Sequence, residues 1–178
     1  SMDVDQLRRL ANPILEQLAV QTGETVNLTL RVGPHARVLL VAGTTGRVEM
    51  DRSGSVIPAH ATAAGRVALA GVSEDQLDHL FRGPAAERAG AALNDRAFTL
   101  LVKELNRTRA RGYALSRDEA VEGIGAVAFP VSGATMRTIT IAVLTPTERL
   151  DALLADEERM TAIRTAATAL GERLRVED

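Results

Sequence analysis

The chain contains no cysteine, although it is 178 residues long. Without thiols it has no disulfides, no thiolate metal ligands, no thiol nucleophile and no thioether-linked chromophore. It also lacks an apolar run of about 18 residues, so no transmembrane helix is predicted. No signal-peptide pattern is present, and we expect a cytoplasmic protein without membrane contact. The formal net charge is −2, so the chain as a whole has no basic footprint for nucleic acid.

Residues that bind metals or catalyse reactions are scattered. The three histidines, His35, His60 and His79, include no pair spaced by four residues, so their spacing does not predict a metal site. No serine, histidine and aspartate stand in a spacing typical of hydrolytic enzymes. We therefore expect no metal, no cofactor and no catalytic residues.

Hydrophobic patterns in the first half predict a helix followed by two strands. The chain is 46% hydrophobic, which is enough for one globular core. Apolar residues recur every three or four positions from Leu7 to Leu18, and Pro13 is expected to kink or break this helix after Asn12. Alternating apolar residues predict strands over 25–32 and 37–43, joined by a turn.

The second half predicts helices and then three strands. Asp95 is a candidate cap for a helix. Strands are predicted at Tyr113–Leu115, Ile124–Val131 and Arg137–Leu144, and a final helix has an apolar face from Met160 to Leu174. Strands joined by hairpins imply a central antiparallel sheet flanked by helices, in one α+β domain.

An acidic turn precedes the second of these three strands. Ser116 and Glu119 have the spacing of a helix capping box, which predicts a short helical turn over "SRDE" with Asp118 in solvent. An acid/base pair or a metal site is the alternative. Each needs a second polar partner that the spacing does not show.

The surrounding motif "RGYALSRDEAVEGIGAVAFPV" resembles the signature of the effector-binding domain of IclR-type transcriptional regulators. "LEQLAVQTGETVNLTL" and "IPAHATAAGRVALA" are similar to two further segments of that family. The resemblance covers residues 5–175. It implies a GAF-like fold: a central antiparallel sheet flanked by helices, with a ligand pocket on one face.

The resemblance also implies a domain organisation and a function. Residues 1–2 look like a vector remnant, and residues 3–178 are expected to form the effector-binding domain. The winged helix-turn-helix domain that precedes it in the family is expected to be missing from this chain. We expect a domain that binds a small-molecule effector, assembles into a dimer or tetramer, and contacts DNA only through the missing domain. The apolar stripe from Met160 to Leu174 and the first helix offer more apolar surface than one sheet needs, and they are expected to serve this assembly. Whether ligand binding activates or represses stays open.

Matching the family's pocket positions to this sequence gives a set of candidate ligand-binding residues. The segment "HATAAG" opens a helix, and the resemblance implies that the amides at the start of this helix, at Ala63 and Ala64, contact an acidic ligand. Met50 is expected in an apolar wall, and His60 is expected near the pocket or as a cap. The complete candidate set is Met50, His60, Ala63, Ala64, Ser116, Ala126, Ala142 and Leu144.

These residue types favour a particular kind of effector. The candidate residues of the acidic turn and the strands are one serine, two alanines and one leucine: Ser116, Ala126, Ala142 and Leu144. The polar groups of a small oxo-acid would find too few hydrogen-bond partners among them. An apolar or aromatic carboxylic acid, or a related metabolite, fits better. Two other functions are considered: an enzyme on a GAF-like scaffold, and a structural dimerisation module that binds no ligand.

Overall fold

The computed structural model describes residues 3–43, 54–131 and 139–177, and within them the chain forms seven α-helices, one 3-10 turn and six strands. The helices are α1 (Val4–Thr22), α2 (Ala63–Leu69), α3 (Glu74–Phe81), α4 (Pro84–Arg88), α5 (Asp95–Arg111), α6 (Thr147–Ala155) and α7 (Glu157–Glu177). The strands are β1 (Thr25–Val32), β2 (His35–Ala42), β3 (Val56–Pro58), β4 (Ala114–Arg117), β5 (Ile124–Pro130) and β6 (Ile139–Pro146), and the 3-10 turn is Ala59–Ala61. None of the described helices is long and apolar enough to span a bilayer.

The six strands form one antiparallel sheet in the order β3-β2-β1-β6-β5-β4. This confirms the predicted α+β class and the central antiparallel sheet. The first and last strands in chain order, β1 and β6, pair with each other in the middle of the sheet. Non-local pairing of this kind holds the sheet together as one unit.

One face of the sheet carries large aliphatic side chains and is covered by α1, α6 and α7. Because side chains alternate along a strand, this face collects one residue in two from each central strand. Val26 and Leu28 of β1 share it with Ile141 and Val143 of β6, and all four are completely buried. We call this the packed face.

The opposite face carries small and polar side chains and is covered in its centre by α2. Its apolar cluster consists of alanines together with one valine and one leucine: Ala63, Ala64, Val67, Ala114, Ala126, Ala128, Ala142 and Leu144. The helices α3 and α5 pack in a separate cluster around Phe81, Leu101 and Leu105 beside it. We call this the alanine face.

The first helix is better formed than its sequence predicts. Asp3 and Gln6 form a capping box at its start, and Gly23, with φ 70°, ends it. Pro13 lies inside an uninterrupted helix, so the helix does not break there, while a kink at Pro13 stays a prediction. The packing of Leu7, Leu15 and Leu18 on the core outweighs the loss of one backbone hydrogen bond.

Two capping predictions are also corrected. Asn94, not Asp95, caps α5, because its Oδ1 accepts the amide of Ala97 at 2.9 Å. "SRDE" is not a helical turn: β4 continues through Ser116 to Arg117, and Ser116 pairs with Ala126. Pairing with β5 satisfies the backbone there and outweighs the local cap.

The C-terminal segment consists of two helices, α6 and α7, where one was predicted. The apolar stripe of α7 is Met160, Ile163, Ala167, Leu170 and Leu174, and it is buried against α1 and the packed face. This stripe was expected to offer a spare surface for oligomerisation. It is instead used inside the domain, so it gives no support for a dimer or tetramer.

Candidate functional site

A cavity of about 110 Å³ lies between the start of α2 and the alanine face. It is open to solvent and is bordered by the sheet, by α2 and by the turn between β4 and β5. The lining residues are Asn27, Thr29, Ser55, Ile57, Thr62, Ala63, Ala64, Ser116, Ala120, Val121, Ile124, Ala126, Ala142 and Leu144. Among the residues that the structure describes, no charged side chain lines it.

The floor of the cavity follows from strand register. Ser116 pairs with Ala126, and Ala126 pairs with Leu144, so these three residues form a row across β4, β5 and β6. In the next row Ala142 pairs with Asn27 of β1. The two alanines end at Cβ, and this leaves open space above the sheet where larger residues would fill it.

Three polar side chains reach this floor although each is at least nine-tenths buried. Asn27 is 4% exposed, Thr29 is 2% exposed and Ser116 is 7% exposed. Thr29 donates its hydroxyl to Oδ1 of Asn27 at 3.0 Å. Neither Nδ2 of Asn27 nor the hydroxyl of Ser116 has a hydrogen-bond partner among the described residues.

The helix α2 sits close against the preceding 3-10 turn because of one glycine. A Cβ at Gly65 would collide with the backbone of Ala59, so only glycine permits this approach. Thr62 caps the helix by accepting the amide of Gly65 at 2.9 Å. The amides of Ala63 and Ala64, which precede the first intrahelical bonds, therefore start at the rim of the cavity.

A buried arginine connects α2 to the turn above the cavity. Arg66, 2% exposed, donates to both carboxylate oxygens of Glu119, at 2.7 and 3.2 Å. It also donates to the carbonyl oxygens of Leu115 and His60. Glu119 is followed directly by Ala120 and Val121, which line the cavity, so this ion pair fixes the position of that wall.

Asp118, the other carboxylate of the acidic pair, stabilises the same turn. It has φ 57°, and its Oδ1 accepts the amide of Gly123 at 2.7 Å and the hydroxyl of Thr147 at 2.6 Å. The hydrogen bond from Thr147, and then that from Gly123, lower the pKa of Asp118. Both carboxylates of the pair therefore have a structural role in the turn.

Six of the eight candidate residues line the one cavity: Ala63, Ala64, Ser116, Ala126, Ala142 and Leu144. His60 does not line it. Its ring packs edge-on against Phe81 at 5.8 Å between centroids, and its Nδ1 is buried without a partner. Burial, and then the charge of Arg66, lower the pKa of His60. Met50 lies outside the described residues.

Sequence patterns missed several lining residues and the ion pair. Asn27, Thr29 and Thr62 occupy positions that look like the solvated side of a strand or an ordinary cap. Arg66 is the one charged residue in "ATAAGRVALAG", and this isolation was a usable signal. Its partner lies 53 residues further along the chain, which spacing does not reveal.

A second depression, of about 560 Å³, lies on the outer surface between α1 and α7. It is lined largely by polar and charged side chains, among them Gln17, Gln21, Glu158 and Arg159. Ligand sites are usually concave and mostly apolar, with a few polar groups. The smaller cavity has that character. No cluster of three or more His, Asp or Glu able to hold a metal occurs in the described part of the chain.

The sequence profile of the family described as "Bacterial transcriptional regulator IclR C-terminal" matches residues 1–172. This chain belongs to that family. The transcriptional regulator XynR of Escherichia coli K12 is 32% identical over 148 residues, which are 82% of this chain and 58% of that protein. The transcriptional repressor AllR of Salmonella typhi is 30% identical over 171 residues, which are 91% of this chain and 61% of that protein. The chain thus spans about three fifths of the length of these two relatives.

Solved structures of IclR regulators have the same fold. The Agobacterium tumefaciens repressor BlcR superposes with a TM-score of 0.71 at 26% identity, covering 97% of this chain and 67% of that one. The Thermotoga maritima IclR superposes with a TM-score of 0.76 at 24% identity, covering 94% of this chain and 68% of that one. The IclR C-terminal domain described here therefore has the GAF-like fold that its motifs imply.

Proposed function

We propose that this IclR C-terminal domain binds a small-molecule effector in the cavity beside α2. Binding would modulate DNA binding by a winged helix-turn-helix domain of the same regulator in the cytoplasm. The observation that carries the proposal is the cavity itself. It is lined by small apolar residues and by polar side chains such as Ser116, whose hydroxyl makes no hydrogen bond to the described residues. A ligand that pairs these groups gains hydrogen bonds that the empty protein lacks.

The effector proposed for this cavity is an apolar or aromatic carboxylic acid or a related metabolite. Ala126, Ala142 and Leu144 supply an apolar floor. The amides of Ala63 and Ala64 and the hydroxyls of Ser116 and Thr62 lie at its edge and can pair with ligand oxygens. Oligomerisation through this domain is part of the proposal, by analogy with the family.

A regulatory role is favoured over catalysis by the chemistry of the cavity. The hydroxyl of Ser116 has no general base beside it among the described residues, and the two carboxylates of the turn are engaged by Arg66, Gly123 and Thr147. A serine needs an adjacent base to act as a nucleophile. This arrangement supports a site that binds a ligand more than one that transforms it.

Two matched substitutions test where the ligand binds. A panel of carboxylic acids and related carbonyl compounds is screened by thermal shift on the wild-type chain and on Ala126→Phe and Ala169→Phe. Ala126 lines the cavity and Ala169 lines the α1–α7 depression. Compounds that raise the melting temperature of the wild type should lose their effect in Ala126→Phe and keep it in Ala169→Phe. The reverse result would place the ligand site on the α1–α7 surface.

A further inference from the structure

We infer that Asn27 determines ligand specificity, and that the effector carries a hydrogen-bond-accepting oxygen at one end, an apolar middle and a second hydrogen-bonding group at the other end. This inference rests on the proposed function, because it takes the cavity beside α2 to be the ligand site. Asn27 is on β1, a strand to which the sequence patterns assigned no ligand contact.

The orientation of the Asn27 carboxamide follows from its neighbour. Thr29 donates its hydroxyl to Oδ1 of Asn27 at 3.0 Å, so the oxygen of the amide is engaged. The Nδ2 group, with two N–H donors, has no partner in the ranges that the structure describes. Asn27 is 4% exposed and lines the cavity. Nδ2 is not one of the fully buried atoms that lack a partner, so it opens onto the cavity, where a ligand oxygen can take the place of water as its acceptor.

The second polar end is Ser116. Ser116 is a buried residue of β4 that lines the cavity, and its hydroxyl makes no hydrogen bond to the described residues. Since β1, β6, β5 and β4 are adjacent and Ser116 lies one row away from Asn27, three strand spacings across and two residues along the strand separate their backbones, or roughly 16 Å in a flat sheet. Ala142, Ala126 and Leu144 lie between these two ends and offer no polar side-chain atom. The floor is therefore polar at both ends and apolar in the middle.

The volume of the cavity indicates how large a ligand it holds within its walls. Each water-sized group occupies about 10–15 Å³ of cavity volume. A cavity of 110 Å³ therefore holds about seven to eleven non-hydrogen atoms. A substituted six-membered ring, or a short chain with a polar group at each end, meets this limit. A ligand with an ammonium group beside Asn27 would be rejected, because the N–H donors of the ammonium would face the N–H donors of Nδ2 without an acceptor between them.

Three probes that differ by single groups test this. 4-Hydroxyacetophenone has both polar ends and carries no charge. 4-Ethylphenol lacks the carbonyl oxygen, and 4-methylacetophenone lacks the hydroxyl. Titrations followed by thermal shift and calorimetry on the wild-type chain should give the tightest dissociation constant for 4-hydroxyacetophenone. Each deletion should weaken binding by about tenfold, as expected for one hydrogen bond to a buried group.

The matching variants assign each loss to a residue. In Asn27→Leu, 4-hydroxyacetophenone should bind no more tightly than 4-ethylphenol. In Ser116→Ala, it should bind no more tightly than 4-methylacetophenone. Thr29→Val removes the hydroxyl that donates to Oδ1 of Asn27, so the carboxamide can rotate. The affinity for 4-hydroxyacetophenone should then lie between that of the wild type and that of Asn27→Leu. Thr25→Val is the control: its buried hydroxyl is on the same strand and face but does not line the cavity, and binding should not change.

Several outcomes would overturn the inference. They are equal binding of 4-ethylphenol and 4-hydroxyacetophenone to the wild type, unchanged binding in Asn27→Leu, or no binding of any of the three probes. The probe comparison needs no variant, so a misfolded Asn27→Leu leaves the test intact. If other compounds still lose their thermal shift in Ala126→Phe, the proposed function stands although this inference fails. If no compound does, the proposed site itself is wrong.

Discussion

The packed face and the alanine face of the sheet differ in the size of their side chains and in how completely helices fill the space above them. On β6, Ile141 and Val143 are fully buried on the packed face, while Ala142 and Leu144, their neighbours in sequence, border the cavity. The packed face is filled by α1, α6 and α7. The alanine face leaves space under α2. A single alternating strand therefore supplies stability with one set of side chains and part of the floor of the proposed ligand site with the other.

The largest effect expected from this difference compares two truncations on β6. Ile141→Ala removes a fully buried side chain from the packed face and should lower the free energy of unfolding by about 3–4 kcal/mol. Leu144→Ala borders space that already exists, and it should cost about 1 kcal/mol. Urea denaturation of both variants gives the two values, and equal costs would mean that the faces do not differ in packing.

A second comparison adds volume instead of removing it. Ala128→Phe places a ring in the fully buried part of the alanine face, outside the cavity, and should cost about 3 kcal/mol through overpacking. Ala126→Phe, one pleat along the same strand, places the ring in the cavity, so the cost should stay below about 1.5 kcal/mol. Thermal or urea unfolding measures both. A larger cost for Ala126→Phe would show that the cavity does not accept a ring.

A smaller effect is expected at the turn above the cavity. Glu119→Gln takes the carboxylate from the buried guanidinium of Arg66. Because the Glu119 side chain is 45% exposed, the expected cost is about 1–2 kcal/mol, below that for a fully buried pair. Glu122→Gln is the control, since Glu122 is exposed in the same turn and has no ion pair with the described residues. A double variant with Arg66→Met should cost less than the sum of the two single changes.

The smallest effect is a pH dependence that comes from His60, in the 3-10 turn before α2. Burial lowers the pKa of His60 below its ordinary value of 6.5, so the unfolded chain binds this proton more readily than the folded one. Stability should therefore fall as the pH drops below about 6.5, and the loss should be complete once the pH passes the folded pKa. In His60→Gln this part of the slope should disappear. His79→Gln, at an exposed position on α3, should retain it, and identical slopes in all three proteins would contradict the assignment.

Much of the fold could be predicted because it follows local periodicity. The alternation in β1, β5 and β6 and the three-four spacing in α1 and α5 are properties of neighbouring residues. The break at Pro13 and the cap at Ser116 were wrong for a common reason. In both places contacts with distant residues, the core packing of α1 and the pairing of β4 with β5, outweigh the local preference.

The cavity could be predicted only in part. Motif resemblance led to six residues that do line it, and that they bind a ligand stays a prediction. Asn27 and Thr29 were missed because a polar residue at an alternating position can face solvent or a buried cavity with the same sequence pattern. Arg66 and Glu119 were missed because their pairing depends on how α2 packs on the β4–β5 turn.

The alanine floor also constrains how this site can change during evolution. A side chain that ends at Cβ can be enlarged by many single substitutions but reduced by only one, to glycine. At Ala126 and Ala142 the pocket is therefore near the largest volume that this backbone allows. For the proposed ligand site, single mutations would readily favour smaller ligands, whereas accepting larger ones would require the backbone of α2 or of the β4–β5 turn to move.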